Sequence, residues 1–119
     1  MSAPNLLALT TATGKNYSCA VGTTRTDLVP TVTTGHAVKI NAAAFTNIHG
    51  TDAGDVTLEL YDSSANVYYK MLSTVSIPAD AVFSPKELFP LYLEEGDKLT
   101  VLANTASVLQ AVASGEDLS

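Results

Sequence analysis

Three carboxylates in one short stretch have the residue types and spacing best suited to chemistry. They are Glu94, Glu95 and Asp97, with Gly96 between the last two. Acid–base catalysis by paired carboxylates requires one carboxyl group to be shielded from water while the other stays ionised. The stretch is typical of a tight turn, because Gly96 permits a positive φ and Asp97 can accept hydrogen bonds from backbone amides. We therefore interpret the three as solvated turn charges, with a weak cation site as the alternative.

The histidines and the single cysteine are the other candidates for chemistry. His49, Asp52 and Asp55 could offer metal ligands, but their spacing matches neither a zinc site nor an EF-hand loop. His36 lies far from them in sequence. Cys19 has no histidine beside it and is interpreted as a small packing side chain, since free cysteine is often buried. Nucleophile-elbow, phosphate-loop, dinucleotide and zincin motifs are absent. The sequence predicts a non-enzyme without catalytic, cofactor-binding or metal-binding residues.

Composition and charge restrict the class of partner. The 119 residues carry a net charge of −6, and only 15% of them are charged. An acidic chain without a basic run repels phosphate backbones and anionic lipid surfaces, so neither nucleic acid nor membrane is an expected partner. The first ten residues lack the basic and apolar regions of a secretory signal. We expect synthesis in a cytoplasm.

Short apolar segments separated by turn residues recur roughly every ten residues, which is typical of a β-sandwich. Residues 56–61 alternate most clearly, with Val56, Leu58 and Leu60 on one face. In residues 36–47, Val38, Ile40, Ala42 and Ala44 share one parity and Phe45 has the other. That mismatch predicts a β-bulge or a strand buried on both faces.

These patterns predict an all-β fold: an antiparallel β-sandwich of seven to nine strands, with immunoglobulin-like or jelly-roll connectivity. At most one short helical turn is expected, for which residues 84–88 fit best. Residues 11–119 are predicted to form this single domain. Residues 1–10 are predicted to be an N-terminal arm or a first strand that contacts a neighbouring subunit.

Two apolar stretches are candidate contact sites between subunits, and for the second, residues 89–92, packing in the core is the first interpretation and a subunit contact the alternative. The predicted interface residues are Leu6, Leu7, Leu9, Phe89, Leu91 and Tyr92. The adjacent pair Tyr68 and Tyr69 is not expected to form a stacking platform, because neighbouring side chains on a strand point to opposite faces.

Several segments resemble small β-sandwich virion proteins of tailed phages, particularly marine and cyanobacterial phages. The likeness spans residues 10–119 and is carried by residues 21–24 (Val-Gly-Thr-Thr), 35–40, 44–47, 55–61, 75–79 and 92–99. The acidic tail at Glu116 and Asp117 matches no such pattern, so its role stays open.

The resemblance implies a non-enzymatic structural protein of the virion, assembled in the host cytoplasm. Its most specific form is a capsid decoration or cement protein that binds the major capsid protein or other virion proteins and forms homo-oligomers. A neck, tail or fibre component is the first alternative. A carbohydrate-binding module is the second, and it would need coplanar exposed aromatic rings or a calcium loop.

Overall fold

A computed structural model describes residues 10–119, which form two antiparallel sheets packed face to face. In chain order the strands are β1 (Ala12–Ala20), β2 (Thr26–Val29), β3 (Ala37–Asn47), β4 (Gly54–Asp62), β5 (Val67–Ile77), β6 (Val82–Phe83), β7 (Leu91–Leu93), β8 (Lys98–Ala103) and β9 (Leu109–Leu118). Sheet A has the order β1-β9-β3-β6, with β7 also paired to β3. Sheet B has the order β2-β8-β4-β5.

The strand order decides between the two predicted connectivities. The pairing order, β1-β9-β3 with β6 and β7 in one sheet and β2-β8-β4-β5 in the other, is that of a jelly roll, a sandwich built from two Greek keys. The predicted all-β antiparallel sandwich is confirmed, with nine strands in the described part of the chain. The one helical element there is a 3-10 helix at Lys86–Leu88, inside the stretch predicted for it.

The core lies between the sheets and is built from alternating strand residues. On β4, Val56 and Leu58 are fully buried, as their alternation predicts, while Leu60 is partly buried. The largest buried side chains are Phe45, Leu28, Ile40, Leu58, Ile77, Leu93, Leu99 and Leu109. Burial of such side chains contributes roughly 1.5 to 3 kcal/mol each before the entropy of ordering is subtracted.

A β-bulge in β3 changes which residues face this core. The pairing of β3 with β9 shifts register between Ile40 and Ala42. Ile40 therefore faces inward before the bulge, and Ala43 and Phe45 face inward after it. The predicted bulge is confirmed. The expectation that Ala42 and Ala44 share a face with Ile40 is wrong, because the extra residue turns these two alanines outward.

Gly115 lies against the bulge. A Cβ at this position would come within 2.0 Å of the Lys39 carbonyl oxygen, so no larger residue fits without moving the β3 backbone. The acidic tail is part of the same strand: Leu118 of β9 pairs with Ala12 on one side and Ala37 on the other. The predicted arm, with Leu6, Leu7 and Leu9, lies outside the described residues, apart from Thr10.

The substitution Gly115→Ala is expected to lower the free energy of unfolding by about 2 to 3 kcal/mol, because backbone must move to admit the methyl group. Denaturant unfolding measures this loss. Gly14→Ala on edge strand β1 is the matched control: a Cβ there meets nothing within 4 Å. It should change stability by less than about 0.5 kcal/mol. Equal effects of the two substitutions would contradict the packing described here.

Candidate functional site

The acidic turn, residues 94–97, is hydrogen-bonded to another turn of the fold through Asp97. Asp97 is buried, and its carboxylate accepts hydrogen bonds from the Ser63 amide at 3.0 Å, the Ser63 hydroxyl at 3.2 Å and the Glu94 amide at 3.1 Å. It ties the turn before β8 to the turn after β4. The interpretation of Asp97 as a solvated charge is therefore wrong, because a contact distant in sequence buries it. The bond from the Glu94 amide is the local one that the sequence predicts.

Neighbouring residues fasten the same turn to a second loop. A Glu95 carboxylate oxygen accepts a hydrogen bond from the Gly35 amide at 2.9 Å. The Gly96 amide donates to the Val32 carbonyl at 2.9 Å. Gly96 has a φ of 86°, in the left-handed region that glycine was predicted to supply. Both carboxylates, those of Glu95 and Asp97, accept hydrogen bonds from backbone amides of other loops, and so they hold this turn in place.

The loop around His49 is held by its own hydrogen bonds. The His49 Nδ1 atom accepts from the amides of Thr51 at 3.2 Å and Asp52 at 3.0 Å. Buried Asn47 donates to the carbonyls of Asp52 and Ile77. Within residues 10–119, no group of three histidine, cysteine or acidic side chains is arranged to hold a metal ion. The His49 side chain, a candidate ligand, instead organises the loop.

A polar cluster that the sequence did not reveal lies at one end of sheet A. The His36 Nδ1 atom is 2.7 Å from an Asp117 oxygen, and the Lys15 Nζ atom is 3.6 Å from the other. Burial, and then the charge of Asp117, raises the pKa of Tyr17. A histidine–carboxylate pair orients a base in some enzymes, but catalysis also needs a nucleophile or a substrate proton within reach. The contact joins β9 to the residue just before β3, and so it fastens the end of β9.

The outer face of sheet B carries charges that neutralise one another. The Arg25 guanidinium donates two hydrogen bonds to Glu59, at 2.8 and 3.2 Å, and lies 3.9 Å above the Tyr68 ring. The bond to Glu59 raises the pKa of Arg25. The rings of Tyr61 and Tyr68 pack with centroids 4.8 Å apart, while adjacent Tyr69 is half-exposed. Tyr68 and Tyr69 thus form no common stacking platform, as expected.

Part of the outer face of sheet A is uncharged, and the neighbouring row of that face carries Lys39 and Glu116. Three rows of outward side chains cross β1, β9 and β3, and the last row reaches β6. None of the ten is charged. We call them the uncharged face: Asn16, Ser18, Ala20, Ala42, Ala44, Thr46, Val82, Gln110, Val112 and Ser114. Two of its apolar side chains are well exposed, Val82 at 62% and Val112 at 48%.

A hollow of about 260 Å³ adjoins this face, between β3 and the segment that joins β6 to β7. Its lining is formed by Asn41, Ala42, Ala43, Ser84, Pro85, Lys86 and Phe89. A second, shallower depression of about 170 Å³ continues from it across Ala44 and Val112. The uncharged face is therefore concave beside β3 and towards β9.

The predicted interface residues of the second stretch lie at different depths. Phe89 is partly buried and lines the hollow, and Leu91 packs against the core. Tyr92 is 47% exposed, with the Lys39 Nζ atom 5.9 Å from its ring centroid. Phe89 and Tyr92 are thus accessible beside the uncharged face, and their role in a subunit contact stays a prediction.

Cys19 on β1 is partly buried, and burial, followed by the negative charge of Asp27, raises the pKa of its thiol. The thiol should therefore stay protonated at neutral pH, and a thiolate-specific reagent should react with it more slowly in the native chain than in urea. Labelling with a chromogenic disulfide measures both rates. Native labelling as fast as that of the unfolded chain would contradict the predicted suppression.

The substitution Asp97→Ala should destabilise the fold by about 2 to 3 kcal/mol, since it removes the three hydrogen bonds of a buried carboxylate and leaves two partly buried amides without this acceptor. Thermal or denaturant unfolding provides the measurement. Glu94→Ala, at an exposed position in the same turn, removes one negative charge as well and is the matched control. An equal loss of stability in both variants would show that the removed charge, and not the hydrogen bonds of Asp97, causes the effect.

Comparison with solved structures shows that this chain is similar in fold to known proteins. No protein-family model matches the sequence, and no curated protein matches it. A chain from a structure of Bacillus endospore appendages, which form disulfide-linked pili, aligns over 99% of this chain and 95% of that one. The identity is 12% and the TM-score 0.51, which shows a shared fold and nothing further.

Two structures of a pentameric capsid protein isolated from metagenomic phage sequences align over 86% of this chain, also at 12% identity. Their TM-scores are 0.38 and 0.39, and the alignments span 60% and 59% of those chains. In residues 10–119 there is no helix of sufficient length and apolarity to cross a bilayer.

Proposed function

We propose that this chain is a non-enzymatic structural subunit of a repeating protein assembly. The observation that carries the proposal is the uncharged face. Its ten side chains span four strands without a charge, in a protein of net charge −6. Depletion of charge is the compositional mark of the centre of protein interfaces, and exposed apolar patches mark interaction sites. The face is thus suited to contact with another protein.

Several ionisable side chains make contacts within the fold, and this supports the same proposal. His36 is engaged by Asp117, Glu59 by Arg25, and Asp97 by the amide and the hydroxyl of Ser63. Each of these contacts joins segments that are distant in sequence, and so each stabilises the fold. An active site needs titratable groups that converge on a substrate cavity. The larger hollow has one titratable side chain in its lining, Lys86.

The specific form we propose is a decoration or cement protein on the head of a tailed phage, with the major capsid protein as its partner. The sequence resemblance to small virion proteins supports this form. A face that makes modest contacts is sufficient when many copies act together on one lattice, because avidity multiplies weak binding. A neck, tail or fibre component would use the same face and differs in copy number.

A filament subunit is a second candidate, favoured by the likeness of fold to the endospore appendage chain over nearly the whole length of both chains. The carbohydrate-binding alternative has less support. The exposed rings of Tyr69 and Tyr92 lie on different sheets, and the Tyr68 ring is covered by Arg25. In the described residues these rings do not form one coplanar platform.

Quantitative gel analysis of intact phage particles that contain this chain tests the decoration form. We expect a fixed ratio to the major capsid protein, and release of the chain by mild denaturant before the shell breaks. A handful of copies per particle would reject decoration in favour of a neck or tail location. Filaments formed by the purified chain alone, seen by electron microscopy, would favour the second candidate.

A further inference from the structure

The hollow beside β3 is a break in the edge of sheet A. On this side, β7 pairs with Val38–Ile40 and β6 pairs with Phe45 and Thr46. Residues 41–44 lie between these pairings and have no strand partner there among the described residues. The chain from residue 84 to residue 90 leaves the sheet edge at this point and passes through the 3-10 helix.

The break exposes backbone hydrogen-bonding groups. Peptide groups along a central strand point alternately to its two neighbours, and β9 can satisfy only one side of β3. In the described chain, no backbone hydrogen bond joins residues 41–44 to residues 84–90. The Asn47 amide, just beyond the break, does bond across to the Ala81 carbonyl at 2.9 Å. An unpaired edge of this kind is a template for an added strand.

The size and lining of the break fit a short apolar strand. Four residues of β3 span about 13 Å, which accommodates roughly four residues of an added strand. Ala42, Ala43 and Phe89 supply apolar contact, and the lining contains no carboxylate. The segment Leu6-Leu7-Ala8-Leu9 has this length and character, since it carries no charge and is apolar throughout.

We infer that the break receives residues 6–9 of a second copy of this chain, which would complete the sheet edge between β6 and β7. The inference rests on the proposed function, because it specifies how one subunit of the assembly joins the next. It also gives the predicted N-terminal arm a defined docking site. Phe89, predicted as an interface residue, would contact the leucines of the added segment.

Distances favour a second copy over the arm of the same chain. The Thr10 amide bonds to the Ser119 carbonyl, at the end of sheet A beside Ala37. From there the centre of the break is about 20 Å along the strands and about 14 Å across them. A direct path of about 24 Å consumes roughly seven extended residues. Residues 6–9 of the same chain therefore cannot reach the break.

Disulfide cross-linking between two single-cysteine variants tests the inference. Both carry Cys19→Ser; one also carries Leu7→Cys, and its tagged partner carries Ala42→Cys. Mixed and oxidised, they should yield a covalent heterodimer on a non-reducing gel. Ser76→Cys, exposed on edge strand β5 of the other sheet, replaces Ala42→Cys in the matched control and should give little product. Equal yields, or none with Ala42→Cys, would overturn the proposed docking.

A steric block provides the second measurement. Ala42→Trp fills the hollow from an exposed position and should weaken self-association of the chain of residues 1–119 at least about tenfold, as followed by sedimentation velocity. Ser76→Trp is the matched control and should change the affinity of self-association by less than about twofold. Self-association that Ala42→Trp leaves intact would reject the docking site and leave the structural role standing. A chain of residues 1–119 that stays monomeric overturns the docking, whereas the structural role is decided separately by copy number in particles.

Discussion

The close approach of β9 to the bulge in β3 is the contact on which the two faces of sheet A depend. Gly115 allows the Lys39 carbonyl to lie where a side chain would otherwise stand. The strand can then gain one residue between Ile40 and Ala42 and reverse its parity. Phe45 enters the core as a result, and Ala42 and Ala44 turn to the outside. One backbone contact thus sets the composition of both the core and the exposed surface.

Polar side chains and apolar surface are separated between the two sheets. On sheet B, Arg25 and Glu59 form an ion pair, and the rings of Tyr61 and Tyr68 pack against each other. The turns and the end of sheet A are joined by Asp97 and Asp117 through contacts between distant segments. The middle of sheet A is left with small, uncharged side chains and an interrupted edge. The chain therefore uses its ionisable groups for stability and leaves its least polar surface free for contact.

The fold was largely predictable from local pattern, whereas the site was not. Alternation in residues 56–61, the parity change at Phe45 and the glycine at position 96 each report a conformation that depends on near neighbours. The His36–Asp117 contact joins residues 81 positions apart, and the Ser63–Asp97 contact joins residues 34 apart. No local pattern encodes such pairings. The uncharged face was equally hidden, because its rows take side chains from strands at both ends of the chain.

Because the uncharged face has no charged side chains, the strength of an association through it depends little on salt concentration. Attraction between exposed ions is screened within about 8 Å at physiological ionic strength and within about 3 Å in molar salt. Apolar contacts and backbone hydrogen bonds are not weakened in this way, and salts that are excluded from protein surfaces strengthen apolar burial. An association made through this face would keep its strength from dilute buffer to brine, while one made through ion pairs would weaken.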